Sequence, residues 1–369
     1  MTLFLYGTLR HRPLLTHVLG RDPGELPSGV LAGHEVRGVD GQRYPGLATG
    51  GGDVPGLLLD VTPQERARLD YYEGGTLYAV KEVEVSTGDG PVRAEVYMPG
   101  DRSVLSGDPW DLDAWVARWA AATVESAVEI MERFEAGQPV EDMIAVHHGI
   151  EARGWIRAEL VKPAPTEVRG SDNPVDITST STGYDGFFRM RRFTFRHRRF
   201  DGALSPELGR ECFVSFDATL ILPYDPATDQ VLLIEQLRFG PLMRGDPHPL
   251  VLEPVAGMVD AGETPEEGAV REAIEEAGLG IREVLPISSV YSSPGYNTDY
   301  FHCFLGLADL SGADQRLGGA EEEHEDIKSH VMSFDRAMAL VDSGEINVGP
   351  LVMMLLWLAR HRERLRASG

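Results

Sequence analysis

The stretch GMVDAGETPEEGAVREAIEEAGL, from Gly257 to Leu279, constrains this chain more than any other. Its second half reads as a helix. Thr264 can cap it, Pro265 suits the first helical position, Glu267 can close a capping box, and Gly278 suits the residue past the end. Ala269, Ala273 and Ala277 step by four and form a small-residue face that can lie close on a sheet. Glu272, Glu275 and Glu276 share one sector of the other side. Arg271 can pair with Glu267 and Glu275, but Glu272 and Glu276 have no Lys or Arg at helical spacing. Both also stand in the C-terminal half, where the helix dipole disfavours anions. Each like-charge contact costs roughly 0.2–0.5 kcal/mol on an exposed helix. A solvated acidic face can bear that. The alternative is a site for hard divalent cations, which take oxygen ligands and can be held against a diphosphate.

The remaining composition narrows the setting. A chain of 369 residues exceeds what one hydrophobic core usually holds, so two domains are expected. No apolar run is long enough for a spanning helix, and MTLFLYGTLR has no basic start followed by an apolar stretch, so neither membrane insertion nor export is expected. Cys212 and Cys303 fall in different predicted strands, which fits a reducing, cytoplasmic setting better than a disulfide framework. A formal charge of -24 repels nucleic-acid phosphates and anionic lipid. Neither partner is expected, and a phosphate substrate needs cations or local arginines.

Residues 1–105 read as β-rich, with short apolar runs between Gly and Pro clusters and one helix-like insert, TPQERARLDYYEG. Residues 106–160 read as a helical connector. Within it Trp115, Trp119, Val124, Ala127, Ile130 and Met131 recur at three- and four-residue steps, and Gly137 suits the helix end. Residues 161–183, rich in Pro, Ser and Thr, read as a linker and first strand, and strands and helices return over 184–369.

The spacing of Gly257, Glu263, Arg271, Glu272, Glu275, Glu276, Gly278 and Leu279 resembles the signature box of the Nudix hydrolases. That resemblance implies a mixed sheet in an α/β/α sandwich for the C-terminal half. It implies Mg²⁺, with Mn²⁺ as a substitute, bound by the Ala256 carbonyl, Glu272 and Glu276. Glu275 becomes a ligand or a neighbour of one, while Glu263 and Arg271 hold the loop against the helix. The stretch 184–365 further resembles bacterial ADP-ribose pyrophosphatases. GFFRMRRFTFRHRRFDGALSPELGRE resembles their N-terminal strands, which that family exchanges within a homodimer. LPYDPATDQVLLIEQLRFG resembles the strand pair before the box, and Pro294, 15 residues past Leu279, occupies the place that marks the ADP-ribose branch. EEEHEDI resembles the acidic loop with late catalytic carboxylates, although a surface loop is the alternative.

By that resemblance Arg210 and Arg238 bind the phosphates or terminal ribose, Glu325 is a further metal ligand, and Glu323 activates water, with the choice between the last two as base left open. Phe187 or Phe188 could stack the adenine or belong to the core. Asp299 stands where the family commonly has Glu, and Tyr296 adds bulk there, which leaves the preferred sugar open. ADP-ribose would give AMP and ribose 5-phosphate. A dinucleotide or a GDP-sugar is the alternative substrate, and an ADP-ribose-binding regulator is the non-enzymatic alternative.

In the N-terminal part, LFLYGTLR, RYPGLATG, VPGLLLDV, LDYYEGGTLYAVKEVEV and RAEVYMPG, in that order, resemble the γ-glutamylcyclotransferase-like superfamily, a small β-barrel with helices. The resemblance implies that the turn of Tyr6, Gly7, Thr8 and Leu9 presents backbone N–H groups to a substrate carboxylate and that Glu73 shuttles a proton. Tyr71, Tyr72 and Leu77 could desolvate Glu73 and raise its pKa. A scaffold without chemistry is the alternative, since fold does not carry activity. The expected class is therefore α+β for the N-terminal barrel and α/β for the C-terminal sandwich. The fusion also resembles bacterial proteins labelled as tellurite-resistance proteins.

Overall fold

The computed structural model describes all residues except 75–77, 100–104, 161–166, 169–173, 320–324 and 369, so Leu77 and Glu323 lie outside the described residues. The chain divides into two units. Unit 1 comprises residues 1–169 and 185–187, and unit 2 comprises 170–184 and 188–369. No described helix is long and apolar enough to cross a membrane.

Unit 1 runs β1 (Thr2–Leu5), α1 (Arg12–Leu19), β2 (Ser28–Val39), β3 (Pro45–Asp60), α2 (Pro63–Tyr72), β4 (Tyr78–Thr87), β5 (Gly90–Pro99), β6 (Leu105–Pro109), α3 (Leu112–Glu135), α4 (Val140–Ala145) and α5 (His147–Glu159). β1 pairs antiparallel with β3 and parallel with β5; β5 pairs with β4, β4 with β2, and β2 with β3. The five strands close on themselves, and β6 extends the free end of β2. Closure leaves none of the five with an open edge. The period-two alternation of β1 then has two destinations. Phe4 joins Leu31, Val54, Leu58, Val85 and Val96 inside the barrel, whereas Leu3 and Leu5 face the helices.

The helices of segment 106–160 pack on the barrel within unit 1. Trp115, Ala127, Ile130 and Met131 of α3, Met143 of α4 and Ile150 of α5 share one core with Leu3, Leu5, Leu59, Leu14 and Leu69. The apolar stripe of α3 needs a surface to cover, and the outer face of the barrel supplies it. Gly137 follows α3 with φ +72°, as its helix-ending role requires. A buried ion network locks the helices together. The Glu129 carboxylate lies 3.0 Å from Arg133 and 2.7 Å from Arg153. Arg133 also reaches the Asp185 carboxylate at 3.1 Å, and Arg153 donates to the Phe187 carbonyl at 3.0 Å, which ties residues 185–187 into unit 1.

Unit 2 runs β7 (Val175–Asp185), β8 (Arg189–His197), β9 (Leu208–Val214), β10 (Asp217–Asp225), β11 (Gln230–Leu237), α6 (Phe239–Arg244), β12 (Leu250–Glu253), β13 (Val255–Met258), α7 (Pro265–Ala277), β14 (Glu283–Tyr291), β15 (Tyr300–Leu307), β16 (Leu317–Gly318), β17 (Ile327–Ser333), α8 (Phe334–Ser343) and α9 (Gly349–Ser368). β7, β8 and β9 form a separate three-stranded sheet. The main sheet is mixed: β14, β15, β10, β11, β17 and β16 lie in that order, β13 pairs with β10, β12 with β11, and β10 with β15 is parallel. Both faces are covered. Ile221, Leu232 and Ile234 point to Ala269, Ala273 and Ala277 of α7, while Leu222, Tyr224, Val231 and Leu233 point to α8 and α9. Each fully buried Leu or Ile contributes about 1.5–3 kcal/mol of transfer free energy. Phe188 stacks on Phe216 and lies 4.8 Å from Phe213, inside an aromatic cluster.

Candidate functional sites in the two units

α7 begins as the sequence demands. Thr264 accepts from the Glu267 amide, the Glu267 carboxylate returns a bond to the Thr264 amide, and Gly278 closes the helix in the left-handed region. Because Glu267 is engaged in this cap, Arg271 turns elsewhere. It donates to both Glu263 oxygens at 2.8 and 3.2 Å, to Glu272 at 2.7 Å, to Glu275 at 3.0 Å and to the Met258 carbonyl at 3.1 Å. Glu263 also accepts from the Asp260 amide at 2.7 Å. One guanidinium thus fixes the loop 258–263 against the helix.

Glu272 lies flat on β13. A methyl group on Gly257 would stand 1.8 Å from its Oε1, so glycine is required there for the carboxylate to reach this place. Glu276 is only 2% exposed and accepts from the Ala256 amide at 3.0 Å. Burial pushes its carboxyl up to about 9. The Ala256 hydrogen bond and Arg238 pull the other way, while the charges of Glu272 and Glu325 push further up. Glu325 comes near because Gly319, just past β16, donates its amide to the Glu275 carbonyl at 3.3 Å, and a methyl group on Gly319 would stand 2.7 Å from the Glu325 Cβ. Arg238 pairs with the half-buried Glu253 at 2.7 Å.

The structure therefore brings Ala256, Glu272, Glu275, Glu276, Glu325 and Arg238 into one neighbourhood. Arg210 is exposed on β9, and Asp299 accepts from Asn297 at 3.0 Å in the turn that docks on β9 through Phe213 and Tyr296. Among the described residues no three carboxylate, His or Cys groups converge on one point, because Arg271 draws Glu272 and Glu275 to itself. The donors nevertheless fit a hard divalent cation. All are oxygens, and the buried Glu276, raised by two neighbouring carboxylates, is a group that a dication would relieve.

A second constellation lies in unit 1. Tyr6, Gly7, Thr8, Leu9 and Glu73 all line one cavity of about 290 Å³. A methyl group on Gly7 would meet Pro45 at 2.8 Å, so the turn can pass this close only with glycine. The Tyr6 and Tyr78 hydroxyls both donate to the Pro45 carbonyl, at 3.4 and 3.3 Å. Glu73 closes α2, and burial, then the Asp70 charge, raise its carboxyl to about 7. The same desolvation, with the Glu73 charge, pushes the Tyr6, Tyr72 and Tyr78 hydroxyls up. Sequence reasoning missed Arg43, Tyr44, Tyr78, Trp119 and Glu151, which also line this cavity. The Arg43-Tyr44-Pro45 run beside a Gly-rich strand was the available signal. Nothing local could reveal that α3 to α5 complete the wall.

Comparison with known proteins places these sites in context. Residues 214–351 match the family model described as NUDIX domain, and residues 3–117 match the model described as Gamma-glutamyl cyclotransferase, AIG2-like. An ADP-ribose pyrophosphatase from Escherichia coli (strain K12) is 39% identical over 207 residues, covering 56% of this chain and 98% of the relative. An ADP-ribose pyrophosphatase from Haemophilus influenzae is 37% identical over 200 residues, 54% of this chain and 92% of the relative. A GDP-mannose pyrophosphatase from Pectobacterium atrosepticum is 32% identical over 183 residues, 50% of this chain and 93% of the relative.

Proposed function

The chain belongs to the Nudix hydrolases, which act on diphosphate bonds and in general use divalent metals, and from that premise we propose that it hydrolyses ADP-ribose to AMP and ribose 5-phosphate with Mg²⁺. The observation that carries the reading is the buried Glu276 carboxylate, with Glu272 and Glu325 close enough to act on its charge, in a chain so similar to ADP-ribose pyrophosphatases. A divalent cation held by Glu272, Glu276 and the Ala256 carbonyl, with Glu325 and Glu275 adjoining, would neutralise the diphosphate and polarise a phosphoryl oxygen. Arg238 and Arg210 bind phosphate or ribose oxygens as bidentate donors. Asp299 helps shape the sugar end through its turn. Glu323 or Glu325 takes the proton of the attacking water as its oxygen bonds phosphorus and the bridging P–O bond breaks. The Arg271 network supports a positioning role for Glu263 and Arg271.

The test is a panel of ADP-ribose, ADP-glucose, GDP-mannose, NADH and diadenosine polyphosphates, with and without Mg²⁺ or Mn²⁺ and with product identification. ADP-ribose should be split fastest. GDP-mannose turned over best would favour the alternative that the third relative suggests. Binding of ADP-ribose without hydrolysis of anything would leave the regulatory alternative.

The cavity around Glu73 favours a second activity in unit 1. The turn of Tyr6, Gly7, Thr8 and Leu9 holds the substrate's carboxylate. The α-amino nitrogen of a γ-glutamyl amide attacks its γ-carbonyl carbon, and the bond from that carbon to the leaving amine breaks. Glu73 carries the proton from the attacking nitrogen to the departing one, giving 5-oxoproline and the free amine. Release of 5-oxoproline from γ-glutamyl amides tests this; no release from a broad panel would leave unit 1 a scaffold.

Two further features complete the reading. The three-stranded sheet exposes Val175, Ile177 and Tyr184, which supports a homodimer through unit 2; a monomer by light scattering would refute it. Cys212 and Cys303 are free, which supports the cytoplasm, and detection of a tagged chain outside it would refute that.

A further inference from the structure

Arg238 stands just past β11, where the chain is still extended before α6 begins. Its backbone amide donates to the Pro249 carbonyl at 3.1 Å. Along β11, Ile234 points to the alanines of α7, so Gln236 and Arg238 follow on the same face at steps of two. On the neighbouring β12, Glu253 stands opposite Ile234 and Val251 opposite Gln236. Residues directly opposite share a face, so Glu253 also looks towards α7. The Arg238 side chain folds back across the Gln236–Val251 pair to reach it, and its Nε donates to the Glu253 carboxylate at 2.7 Å.

Among the described residues this is the one side-chain hydrogen bond of Arg238, and Glu253 has no other side-chain partner. Gln236, beneath the pair, does not brace Arg238, because its buried amide nitrogen makes no hydrogen bond. The consequence is directional. A guanidinium carries its five N–H donors in a fixed planar fork. With Nε pinned, the terminal edge of Nη1 and Nη2 stays open with two parallel donors, the pattern that suits a phosphate. The Arg238 side chain keeps 41% of its surface exposed, whereas that of Glu253 keeps 14% and sits deeper. The charge of Arg238 already acts on Glu276. Freed from Glu253, the guanidinium would be drawn to that carboxylate and away from a substrate.

We propose that Glu253 is a positioning residue for hydrolysis in unit 2, holding Arg238 by Nε so that Nη1 and Nη2 are presented together to a phosphate of the substrate. The inference rests on the reading that Arg238 binds phosphate.

The test titrates α,β-methylene-ADP-ribose, which is not hydrolysed, with Mg²⁺ into the full chain and into E253L, E253Q, R238A and the double variant E253L/R238A, by calorimetry. E253L removes the acceptor at similar volume and should weaken binding about tenfold, the scale of one hydrogen bond to a charged group. E253Q keeps an oxygen in that place and should bind within about threefold of the parent chain. The melting temperature of E253L should stay within about 3 °C of the parent, since the pair is partly exposed. R238A should weaken binding at least as much as E253L. Adding E253L to R238A should change it by less than about twofold, because Glu253 acts only through Arg238. Parent-like binding by E253L, no recovery in E253Q, or an E253L loss that persists in full without Arg238 would overturn the inference and leave Arg238 in the site. Unchanged binding in R238A would instead remove the reading beneath it, and the inference with it. If the parent chain does not bind the analogue, the ADP-ribose reading falls on its own account, and α,β-methylene-GDP-mannose takes its place with the same deciding outcomes. Binding of neither compound would overturn the inference.

Discussion

Gly257→Ala separates the chemistry of unit 2 from its stability. The new methyl group would lie 1.8 Å from Glu272 Oε1 and 2.1 Å from its Cδ, so the Glu272 carboxylate must leave β13. Gly257 does not use the left-handed region, so alanine adds no backbone strain. Moving the carboxylate gives up its 2.7 Å pair with Arg271, a partly exposed contact worth about 0–1 kcal/mol. Alanine recovers about 0.4–1 kcal/mol by restricting the unfolded chain. The two effects nearly cancel, so the melting temperature should move by less than about 3 °C. The site has no such compensation. Displacing a group that holds or orients a metal ligand typically costs about 10–100-fold. Differential scanning fluorimetry and Mg²⁺-dependent ADP-ribose hydrolysis read the two quantities in one preparation. Activity within threefold of the parent chain would refute the placement of Glu272 in the machinery. A melting temperature lower by about 10 °C would refute the claim that Gly257 serves the site and not the fold.

Glu276→Gln should reduce hydrolysis by at least about 100-fold while the metal-free protein keeps or gains stability, measured by activity and urea titration. Because burial raises the Glu276 carboxyl to about 9, the metal-free folded state retains a proton that the unfolded state releases above about 4.5. Metal-free stability should therefore fall as pH rises from about 4.5 to 9, and E276Q should flatten that slope in denaturation curves taken across the range. For unit 1, Glu73 must be ionised to accept a proton, so cyclotransferase kcat/KM should rise with pH through about 7 and level above it. A flat profile from pH 5.5 to 8.5 would contradict that role. Arg133→Ala should destabilise unit 1 by about 3–5 kcal/mol, because Glu129 and Asp185 are left buried beside one arginine fewer; denaturant unfolding followed by tryptophan fluorescence reads it.

α7 was legible nearly residue by residue. Its cap, its Ala269, Ala273 and Ala277 face and its closing Gly278 follow from local chemistry alone. The pairing of Arg271 was half legible: Glu275 was foreseeable at helical spacing, but Glu263 and Glu272 prevail over Glu267, since Glu267 is already spent on the Thr264 cap. Periodicity alone gave the barrel only as strands; its closure was legible through the family resemblance, because β1 meets β5 across more than eighty residues and no local pattern encodes that pairing. α3 shows why a periodic stripe is weaker evidence than a motif. Trp115, Ala127 and Ile130 declare that one face is buried, but not that the barrel buries it, so a structural wall of unit 1 resembled a connector. The burial of Glu276 was hidden for the same reason: spacing put it on the acidic side of α7, whereas its carboxylate turns in to the Ala256 amide of β13.

The central claim is that carboxylates of α7 and its loop hold a divalent cation against a diphosphate. Diffraction at the manganese absorption edge, on crystals soaked with Mn²⁺ and a non-hydrolysable ADP-ribose analogue, tests it most directly. The account predicts an anomalous peak ligated by Glu272 and Glu276 and by an oxygen of the analogue's diphosphate. An analogue bound elsewhere, or manganese that leaves Glu276 without a metal contact, would contradict it.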